Sequence, residues 1–258
     1  MKRILKSSLV FPYWAVFRNL KGRLNNMNDL NLVTLSSPTS FATESYKLLR
    51  TNLNFKNVKN KYQVMLLTSA GRQEGKTTTI CNLAVTLAQS DKRVLLIDAD
   101  LRLPHVNMIF GINKRQTGLS NMLVDDLPLD AVATKVKDLE KLEILTAGNK
   151  QVSPTELLNS EAFESMILAC KQEYDIILID TPPVLIFADA SIISKMADGV
   201  ILVVAAQETK KEMAVEAKKA LDKVGAVIIG VVLTKVKFKK KANYYRYDKY
   251  SEDKVKSK

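Results

Sequence analysis

This sequence has few cysteines, no long apolar run and almost no net charge in the central part of the chain. Its 258 residues include two cysteines, Cys81 and Cys170, which lie inside helical patterns and lack the spacing of a metal or redox site. This scarcity excludes a disulfide-stapled fold and indicates small buried side chains in a reducing compartment. The longest uncharged apolar run, residues 7–17, is shorter than the roughly 18 residues that a membrane span needs. We therefore expect a cytoplasmic chain that does not cross the membrane.

The net charge of +12 belongs to the two ends of the chain. Residues 1–26 carry six lysines and arginines and no acid, and residues 235–258 carry ten against three acids, which leaves −1 for residues 27–234. A nucleic-acid-binding domain more often has a basic face on its folded body, so we expect no nucleic-acid partner. We expect the basic ends to lie near anionic phospholipid or an acidic partner. The alternative is that they are solubilising tails without a partner.

The first 26 residues imitate a signal peptide. Charged residues precede the apolar stretch LVFPYWAVF, but no small-residue cleavage site follows. Two interpretations stay open. The segment is either an interfacial membrane anchor that places Phe11, Trp14 and Phe17 at the headgroups, or material that precedes the true start at Met27. We favour the second interpretation.

One stretch, VMLLTSAGRQEGKTTT at residues 64–79, predicts a strand, a phosphate-binding loop and a helix in direct succession. A loop that ends at a helix N-terminus offers backbone N–H groups and the positive end of the helix dipole to an anion, so a triphosphate is the expected ligand. In the usual roles Lys76 reaches the β and γ phosphates and the Thr77 hydroxyl binds Mg²⁺. Ala70 stands where the motif has its first glycine. The predicted phosphate-binding residues are Gly71, Arg72, Gln73, Glu74, Gly75, Lys76, Thr77 and Thr78.

Two later strands are predicted to end in acids. VLLIDADLR predicts a strand that ends at Asp98, with Asp100 two residues further on, and DIILIDTPP predicts a central strand that ends at Asp180. The carboxyl ends of parallel strands meet at the edge where a neighbouring phosphate loop also opens. Acids beside a bound triphosphate repel it unless a cation intervenes, so this arrangement implies Mg²⁺. Asp189 is expected near the same edge but belongs to no motif, so its substitution should matter less.

Strands and helices alternate throughout the central part of the chain. Further buried strands are predicted at residues 200–205 and 227–234, with a lysine-rich helix between them. The sequence SPTE at residues 153–156 predicts a capping box that opens another helix. The alternation predicts an α/β fold whose mostly parallel, twisted sheet is covered by helices on both faces.

A helix predicted over residues 40–55 has two different faces. An apolar stripe suited to docking on the domain consists of Tyr46, Leu49 and Leu53. A second arc carries alternating charge at a spacing of three residues and consists of Glu44, Lys47 and Arg50. The charged arc is either a contact surface or a solvated face.

The last 24 residues show no helical or strand period and few aliphatic side chains, which indicates a disordered or loosely attached tail. Such segments are usually poor in aromatic residues. Half of the eight tyrosines in the chain nevertheless lie here within seven residues, namely Tyr244, Tyr245, Tyr247 and Tyr250. Tyrosines on a mobile tail beside a nucleotide site are candidate phosphate acceptors.

Taken together, these motifs resemble those of the bacterial tyrosine kinases of capsule and exopolysaccharide synthesis, in their soluble, separately encoded form. The segments ESYKLLR, TSAGRQEGKTTT, LLIDADLR, IILIDTPP and the tyrosine cluster carry the resemblance over about residues 30–250. It implies a P-loop NTPase fold with the deviant Walker motifs of the MinD and ParA type. Together with the composition of the two ends, this predicts a basic and apolar extension at residues 1–26, a kinase domain at 27–234 and a flexible, basic, tyrosine-rich tail at 235–258.

The resemblance further implies an ATP-dependent autokinase that phosphorylates its terminal tyrosines, mostly between neighbours in a ring, and so regulates polymer export. The implied catalytic residues are Lys76, Asp98, Asp100 and Asp180. The implied Mg²⁺-binding residues are Thr77, Asp98, Asp100 and Asp180. The implied oligomer contacts are Glu44, Lys47 and Arg50, with Lys47 in place of the family's first arginine. The implied partners are the cytoplasmic end of a membrane-spanning chain-length regulator, at the inner face of the membrane, and a phosphotyrosine phosphatase.

A partitioning or septum-positioning ATPase, which dimerises on ATP and modifies no protein, is the competing class. Such proteins carry a second lysine five residues before the loop lysine, where this chain has Gly71, although the adjacent Arg72 could imitate it. A nucleotide-binding export scaffold without kinase activity also stays open. Two other positions depart from the kinase pattern. Gln73 stands where the loop often has glycine, and Thr234 stands where asparagine is frequent near the adenine.

Overall fold

The strands at the centre of the sheet are short and completely buried. The computed structural model describes residues 13–14, 32–60, 62–113 and 117–236. Its strands are β1 (Tyr13–Trp14), β2 (Val64–Ser69), β3 (Val94–Asp98), β4 (Thr134–Val136), β5 (Leu139–Leu145), β6 (Ile176–Asp180), β7 (Gly199–Ala205) and β8 (Ile228–Thr234). Every residue of β2, β3, β6 and β7 is buried. Continuous apolar runs of this kind are typical of parallel strands that are covered on both faces.

The eight strands form one sheet in the order β1-β8-β7-β2-β6-β3-β5-β4. All neighbouring strands are parallel except β4 and β5. The carboxyl ends of β2, β6 and β3 therefore lie side by side at one edge, and Asp98 at the end of β3 stands opposite Asp180 at the end of β6. The predicted α/β fold is confirmed, and the sheet brings together two acids that are far apart in the sequence.

Helices cover both faces of this sheet. Those in the described part of the chain are α1 (Val33–Ser36), α2 (Phe41–Asn60), α3 (Lys76–Ala88), α4 (Val106–Ile109), α5 (Leu119–Asp125), α6 (Leu129–Val132), α7 (Pro154–Leu158), α8 (Glu161–Glu173), α9 (Asp189–Ile193) and α10 (Lys211–Lys223). One core layer includes α2 and α3, and the other includes α8, α9 and α10. The predicted stripe Tyr46, Leu49 and Leu53 is buried in the first layer. Burying each such leucine contributes about 1.5 to 3 kcal/mol.

Two local features differ from the sequence-based expectation. Ser153 occupies the N-cap position of α7, but its backbone (φ −122°, ψ 70°) differs from the extended conformation usual at a cap, and its side chain makes no cap hydrogen bond. The predicted capping box is therefore wrong. The antiparallel pair of β4 and β5 was not indicated by the sequence. Its turn places Asp138 in the left-handed region (φ 61°), which aspartate tolerates, but it lacks the Asn-Gly or Asp-Gly pair that usually marks a hairpin.

Most of both ends of the chain lies outside the described residues. Within the described ranges, no helix combines the length and the apolar character that crossing a membrane would require. Cys81 and Cys170 are both buried and unbridged, as predicted. The segment boundaries at residues 26 and 234 stay predictions, because most of the N-terminal extension lies outside the described residues. The four clustered tyrosines lie outside them too.

Candidate active site

The loop between β2 and α3 turns sharply into the first residue of the helix. Gln73 (φ 59°) and Gly75 (φ 88°) both adopt the left-handed conformation. For a non-glycine residue this conformation costs about 1 to 2 kcal/mol, so Gln73 strains the turn without preventing it. Gly75 is the N-cap of α3 and brings no side chain there. The N–H groups of the first helical turn are therefore available to an anion, as the motif predicted.

Glu74 and Thr234 stabilise this loop through hydrogen bonds. The Oε1 atom of Glu74 accepts the backbone N–H of Gly71 at 2.6 Å and so joins the beginning and the end of the loop. The Glu74 carbonyl accepts the Thr234 hydroxyl at 2.6 Å, and the Thr234 methyl lies 3.3 Å from where a Cβ on Gly75 would stand. Thr234, whose position the resemblance links to the adenine, is used here to support the phosphate loop. Together with the positive φ, this contact makes residue 75 a glycine position.

Lys76 lies between two carboxylates at the carboxyl edge of the sheet. Its Nζ atom donates to Asp100 Oδ2 at 3.1 Å and lies 3.5 Å from Asp180 Oδ1. The Thr77 hydroxyl donates to Asp180 Oδ2 at 2.7 Å. The fold therefore brings together the predicted loop lysine, the loop threonine and two of the three predicted acids. A cation held between carboxylates at a phosphate loop suits the binding of a polyanion that comes with its own cation.

Asp98, the third predicted acid, has a different environment from Asp100. It is fully buried, and its carboxylate accepts three backbone N–H groups of the segment that follows β3: Asp100 at 3.2 Å, His105 at 3.2 Å and Val106 at 3.0 Å. Burial, and secondarily the charge of Asp180, raise the pKa of Asp98 to about 8. Asp98 thus shapes the segment after β3, whereas Asp100 presents its carboxylate to Lys76.

The charges in this cluster depend on one another. Burial opposes the charge on Lys76, but Asp180, Asp100 and Asp98 outweigh it and raise the pKa of the ammonium above its ordinary value. Burial likewise raises the pKa of Asp180, while Lys76 and the Thr77 hydroxyl act in the opposite direction. Lys76 therefore stays charged throughout the neutral pH range. The cluster thus contains a lysine that stays positively charged, beside two buried acids, Asp98 and Asp180, whose pKa values are raised.

The same residues fit Mg²⁺ that is bound together with phosphate. Asp180 Oδ1 is buried and, among the described residues, makes no hydrogen bond, and the Lys76 Nζ atom lies 3.5 Å from it. Within the described ranges no group of three or more His, Cys, Asp or Glu side chains is arranged to hold a metal by itself. Mg²⁺ in phosphoryl-transfer sites usually takes one or two protein ligands together with substrate phosphates and water. Thr77 and Asp180 would hold it here.

Comparison with known proteins places this geometry in a family. A family profile described as "AAA domain" matches residues 71–225. The tyrosine-protein kinase YwqD of Bacillus subtilis (strain 168) is 36% identical over 217 residues, which cover 84% of this chain and 91% of that protein. The chain belongs to the bacterial tyrosine-protein kinases. It is thereby an enzyme of the protein-tyrosine kinase class, as the resemblance implied.

Solved structures agree with this assignment. The kinase domain of the Escherichia coli tyrosine kinase ETK superposes with a TM-score of 0.77 at 26% identity, covering 86% of this chain and 88% of that domain. The MinC:MinD cell division complex of Aquifex aeolicus gives a lower TM-score of 0.58 at 26% identity and covers 68% of this chain. The expected P-loop fold shared with MinD is therefore confirmed, and the kinase domain shares more of it.

In the kinase, Arg102 forms a buried contact that the sequence did not indicate. Its guanidinium pairs with the fully buried carboxylate of Asp189, with Nε at 2.8 Å from Oδ2, and also donates to the Thr155 hydroxyl at 2.7 Å. Asp189 belongs to no motif, and its substitution was expected to matter less than that of Asp98 or Asp100; that comparison stays a prediction. The structure places it as the main partner of the arginine in the segment after β3. A possible signal was its position shortly after the Asp180 strand, but neither spacing nor period identified the partner.

The charged arc on α2 of the kinase makes contacts within its own chain. Lys47 Nζ donates to Glu44 Oε1 at 2.8 Å and to the Pro38 carbonyl at 3.2 Å, and both side chains are largely exposed. Arg50 turns toward the domain and donates to the Thr86 carbonyl in the last turn of α3 at 2.7 Å. These three residues lie apart from the phosphate loop. Their role as oligomer contacts stays a prediction.

Proposed function

We propose that this kinase transfers the γ-phosphoryl group of ATP to its own C-terminal tyrosines and thereby regulates the polymerisation and export of a capsular or extracellular polysaccharide. The observation that carries the proposal is the position of Lys76 between Asp100 and Asp180 at the mouth of the phosphate loop. The tyrosine cluster Tyr244, Tyr245, Tyr247 and Tyr250 supplies acceptors on the same chain. Family membership supports the chemistry, since the relatives are tyrosine-protein kinases.

Nucleotide binding would use residues 71–78. The open N–H groups at the start of α3 would bind the phosphates, and Lys76 would turn from Asp100 and Asp180 toward the β and γ phosphates. Mg²⁺, held by Thr77 and Asp180, would supply neutralisation of the charge on these phosphates. Because such a transition state needs little covalent help from the protein, placement and charge should contribute most of the rate.

Transfer itself forms a bond between the tyrosine oxygen and the γ-phosphorus and breaks the bond between that phosphorus and the β–γ bridging oxygen. The phenolic proton needs an acceptor. Asp100 suits this role better than Asp98, because Asp98 is fully buried and already accepts three backbone N–H groups. Once Lys76 has turned to the phosphates, Asp100 loses that partner and becomes free to accept a proton.

The acceptor assignment is tested with γ-labelled ATP and detection of phosphotyrosine. Replacing Tyr244, Tyr245, Tyr247 and Tyr250 together with Phe should remove most of the incorporated label and leave ADP affinity within about twofold, because these residues lie outside the nucleotide site. A matched control replaces Tyr62 with Phe, which should leave incorporation unchanged. Label that persists in the fourfold variant and maps to Tyr46 or Tyr174 would contradict the acceptor assignment.

A dimerising ATPase of the MinD or ParA type is the second candidate, favoured by the shared fold and by Arg72, which is exposed beside Gly71. The two candidates differ in their products. The ATPase would form an ATP-dependent dimer that Arg72→Ala abolishes, with no phosphotyrosine. The kinase should form phosphotyrosine, and Arg72→Ala should change the rate by less than about tenfold.

The proposed partners follow from charge and family. We propose a homo-oligomeric ring that acts at the inner face of the membrane with the cytoplasmic end of a membrane-spanning chain-length regulator, and a phosphatase that resets the tyrosines. Four phosphates on the tail add about −6 to −8 of charge. That nearly cancels the +7 of residues 235–258 and should weaken their attraction to anionic lipid. Vesicles with anionic lipid should bind the unmodified protein more tightly than the autophosphorylated protein.

A further inference from the structure

Two separate parts of the chain donate hydrogen bonds to the carboxylate of Asp189, the first residue of α9. Arg102, from the segment after β3, donates its Nε to Oδ2 at 2.8 Å and its Nη2 to Oδ1 at 3.1 Å. Thr155, from α7, donates its hydroxyl to Oδ1 at 2.6 Å and accepts from Arg102 Nη2 at 2.7 Å. The guanidinium also stacks on the ring of Phe187, 4.2 Å from its centre. Arg102, Asp189 and Thr155 are called the Arg102 network below.

This arrangement fixes the position of Arg102 more strongly than a surface ion pair would. The Asp189 side chain is 0% exposed and that of Arg102 is 27% exposed. A buried carboxylate without its cation is strongly unfavourable, so the buried end of the pair cannot easily release the arginine. The two-point contact and the aromatic face further restrict the guanidinium to one orientation. Arg102 therefore anchors the segment after β3 to α7 and α9.

Asp100 lies in the middle of that anchored segment. On one side Asp98 accepts the N–H of Asp100 at 3.2 Å, and on the other side Asp100 Oδ1 accepts the N–H of Leu103 at 3.1 Å. Arg102 belongs to the turn that this second hydrogen bond closes. The remaining oxygen of Asp100, Oδ2, receives Lys76. The direction of the Asp100 carboxylate thus depends on a turn whose outer end is held by Asp189.

We propose that the Arg102 network positions Asp100 for phosphoryl transfer, with Arg102, Asp189 and Thr155 as positioning residues that act through Asp100. The proposal rests on the proposed kinase function and adds three residues to it. None of the three forms a hydrogen bond with a phosphate-loop side chain in the described part of the chain. Loss of a group that orients a ligand or catalytic residue typically lowers activity about 10- to 100-fold, which is the effect expected here. The effect should fall on kcat and leave the KM for ATP within about threefold.

The test measures four variants of the Arg102 network: Arg102→Ala, Arg102→Lys, Asp189→Asn and Thr155→Val. The control is an Arg–Asp pair at the other end of the same strands. Arg93 and Asp175 precede β3 and β6 and lie 3.6 Å apart, largely exposed. Arg93→Ala should leave kcat unchanged within about twofold. In the Arg102 network, kcat of phosphotyrosine formation should fall most for Arg102→Ala and least for Thr155→Val. Arg102→Lys should recover part of the loss, because lysine keeps the charge but not the two-point contact.

Two further measurements separate positioning from folding and from direct phosphate binding. The double variant Arg102→Ala with Asp189→Ala should lose no more kcat than Arg102→Ala alone, because each substitution removes the same contact between Arg102 and Asp189. Amide hydrogen exchange of Leu103 in the unliganded protein needs no catalysis and reports on the turn that holds Asp100, because the Leu103 N–H donates to Asp100 Oδ1. This amide should exchange about tenfold faster in Arg102→Ala than in the wild type. Thr155→Val, an isosteric change, keeps the test informative if the Asp189 variants unfold.

Other outcomes would overturn the proposal. One such outcome is a folded Arg102→Ala variant with wild-type kcat. Another is a double variant whose losses of kcat are additive, together with a matching rise in the KM for ATP, which would make Arg102 a phosphate ligand. If the wild-type protein forms no phosphotyrosine, the proposed function fails by itself. Hydrogen exchange at Leu103 then decides on the Arg102 network, because an unchanged exchange rate in Arg102→Ala contradicts it.

Discussion

Charged side chains occur in two contrasting regions of this kinase. At the carboxyl edge of the sheet, the side chains of Lys76, Asp100 and Asp180 are 12%, 7% and 1% exposed, and they contact one another. On the outer face of α2, Lys47 and Glu44 form a pair whose side chains are 37% and 59% exposed. The same residue types therefore contribute differently to stability in the two regions. Buried charges depend on partners that the fold supplies, whereas exposed charges are already stabilised by water.

The two regions also differ in what a substitution leaves behind. Removing one member of a buried cluster leaves the others without compensation, and their pKa values and positions respond. Removing Lys47 leaves Glu44 in water at a cost of a few tenths of a kcal/mol. Arg50 lies between these extremes, since it is partly buried and donates to the last turn of α3. Its contact with a helix C-terminus contributes about 0.3 to 1 kcal/mol.

The largest effect is expected for Lys76→Met. A neutral thioether cannot stabilise charge on the β and γ phosphates, so phosphotyrosine formation should fall by a factor of about 10² to 10³ or more. Phosphotyrosine detection after incubation with Mg²⁺-ATP measures it. Lys47→Met makes the same chemical change on α2 and should leave ADP affinity unchanged. If Lys76→Met formed phosphotyrosine at the wild-type rate, the phosphate loop would have no part in the mechanism. The buried and the exposed lysine would then not differ in their contribution to activity.

A pH series on unliganded protein sharpens the contrast. The pKa of Asp98 rises from 3.8 to about 8 in the folded state, so the folded protein binds a proton that the unfolded chain releases at lower pH. The resulting stabilisation is fully present below about pH 4, is lost progressively as the pH rises from there to about 8, and does not change further above that. Between pH 6 and pH 9 the wild type should lose on the order of 2 to 3 kcal/mol more unfolding free energy than Asp98→Asn. Urea unfolding measures this difference, and equal losses would show that Asp98 does not titrate there.

Glu74 offers a test of intermediate size within the phosphate loop. Glu74→Ala removes the acceptor of the Gly71 N–H and should weaken ADP binding about tenfold, because the loop must then be ordered when the ligand binds. Glu74→Gln keeps an oxygen acceptor and should bind ADP within about threefold of the wild type. Calorimetric titration gives both values. Equal affinity in all three proteins would indicate that Gln73 and Gly75 shape the loop without Glu74.

The smallest effect is expected on α2. Arg50→Ala should lower the unfolding free energy by about 0.3 to 1 kcal/mol and leave ADP affinity unchanged. If α2 also contacts a neighbouring subunit, a ring contains many such weak pairs and should dissociate as salt increases. Light scattering at low salt, with the activating partner present, should then show a smaller mass for Arg50→Ala than for the wild type. The same mass across a salt series would leave the α2 charges as a solvated face.

Much of the site could be predicted because its signals are local. The order of strand, loop and helix around Lys76 follows from a motif of eight residues, and the acids Asp98 and Asp180 follow from continuous apolar runs that end in aspartate. The alternation of elements predicted the parallel sheet, which in turn placed both acids at one edge. The hairpin of β4 and β5 was missed because Asp138 supplies its turn without the usual glycine.

Local patterns were enough to predict the fold class, the phosphate loop and the sheet edge at which the acids meet, because periodicity, turn residues and strand ends depend on a few neighbouring positions. The residues that support these features were visible only in the folded structure. Asp189 became the partner of Arg102, and Thr234 became a support of the loop at Glu74. These partners come from distant segments, and their pairing depends on how α7, α9 and β8 pack, which no local pattern encodes. A buried charge must find a partner, but the fold chooses which one.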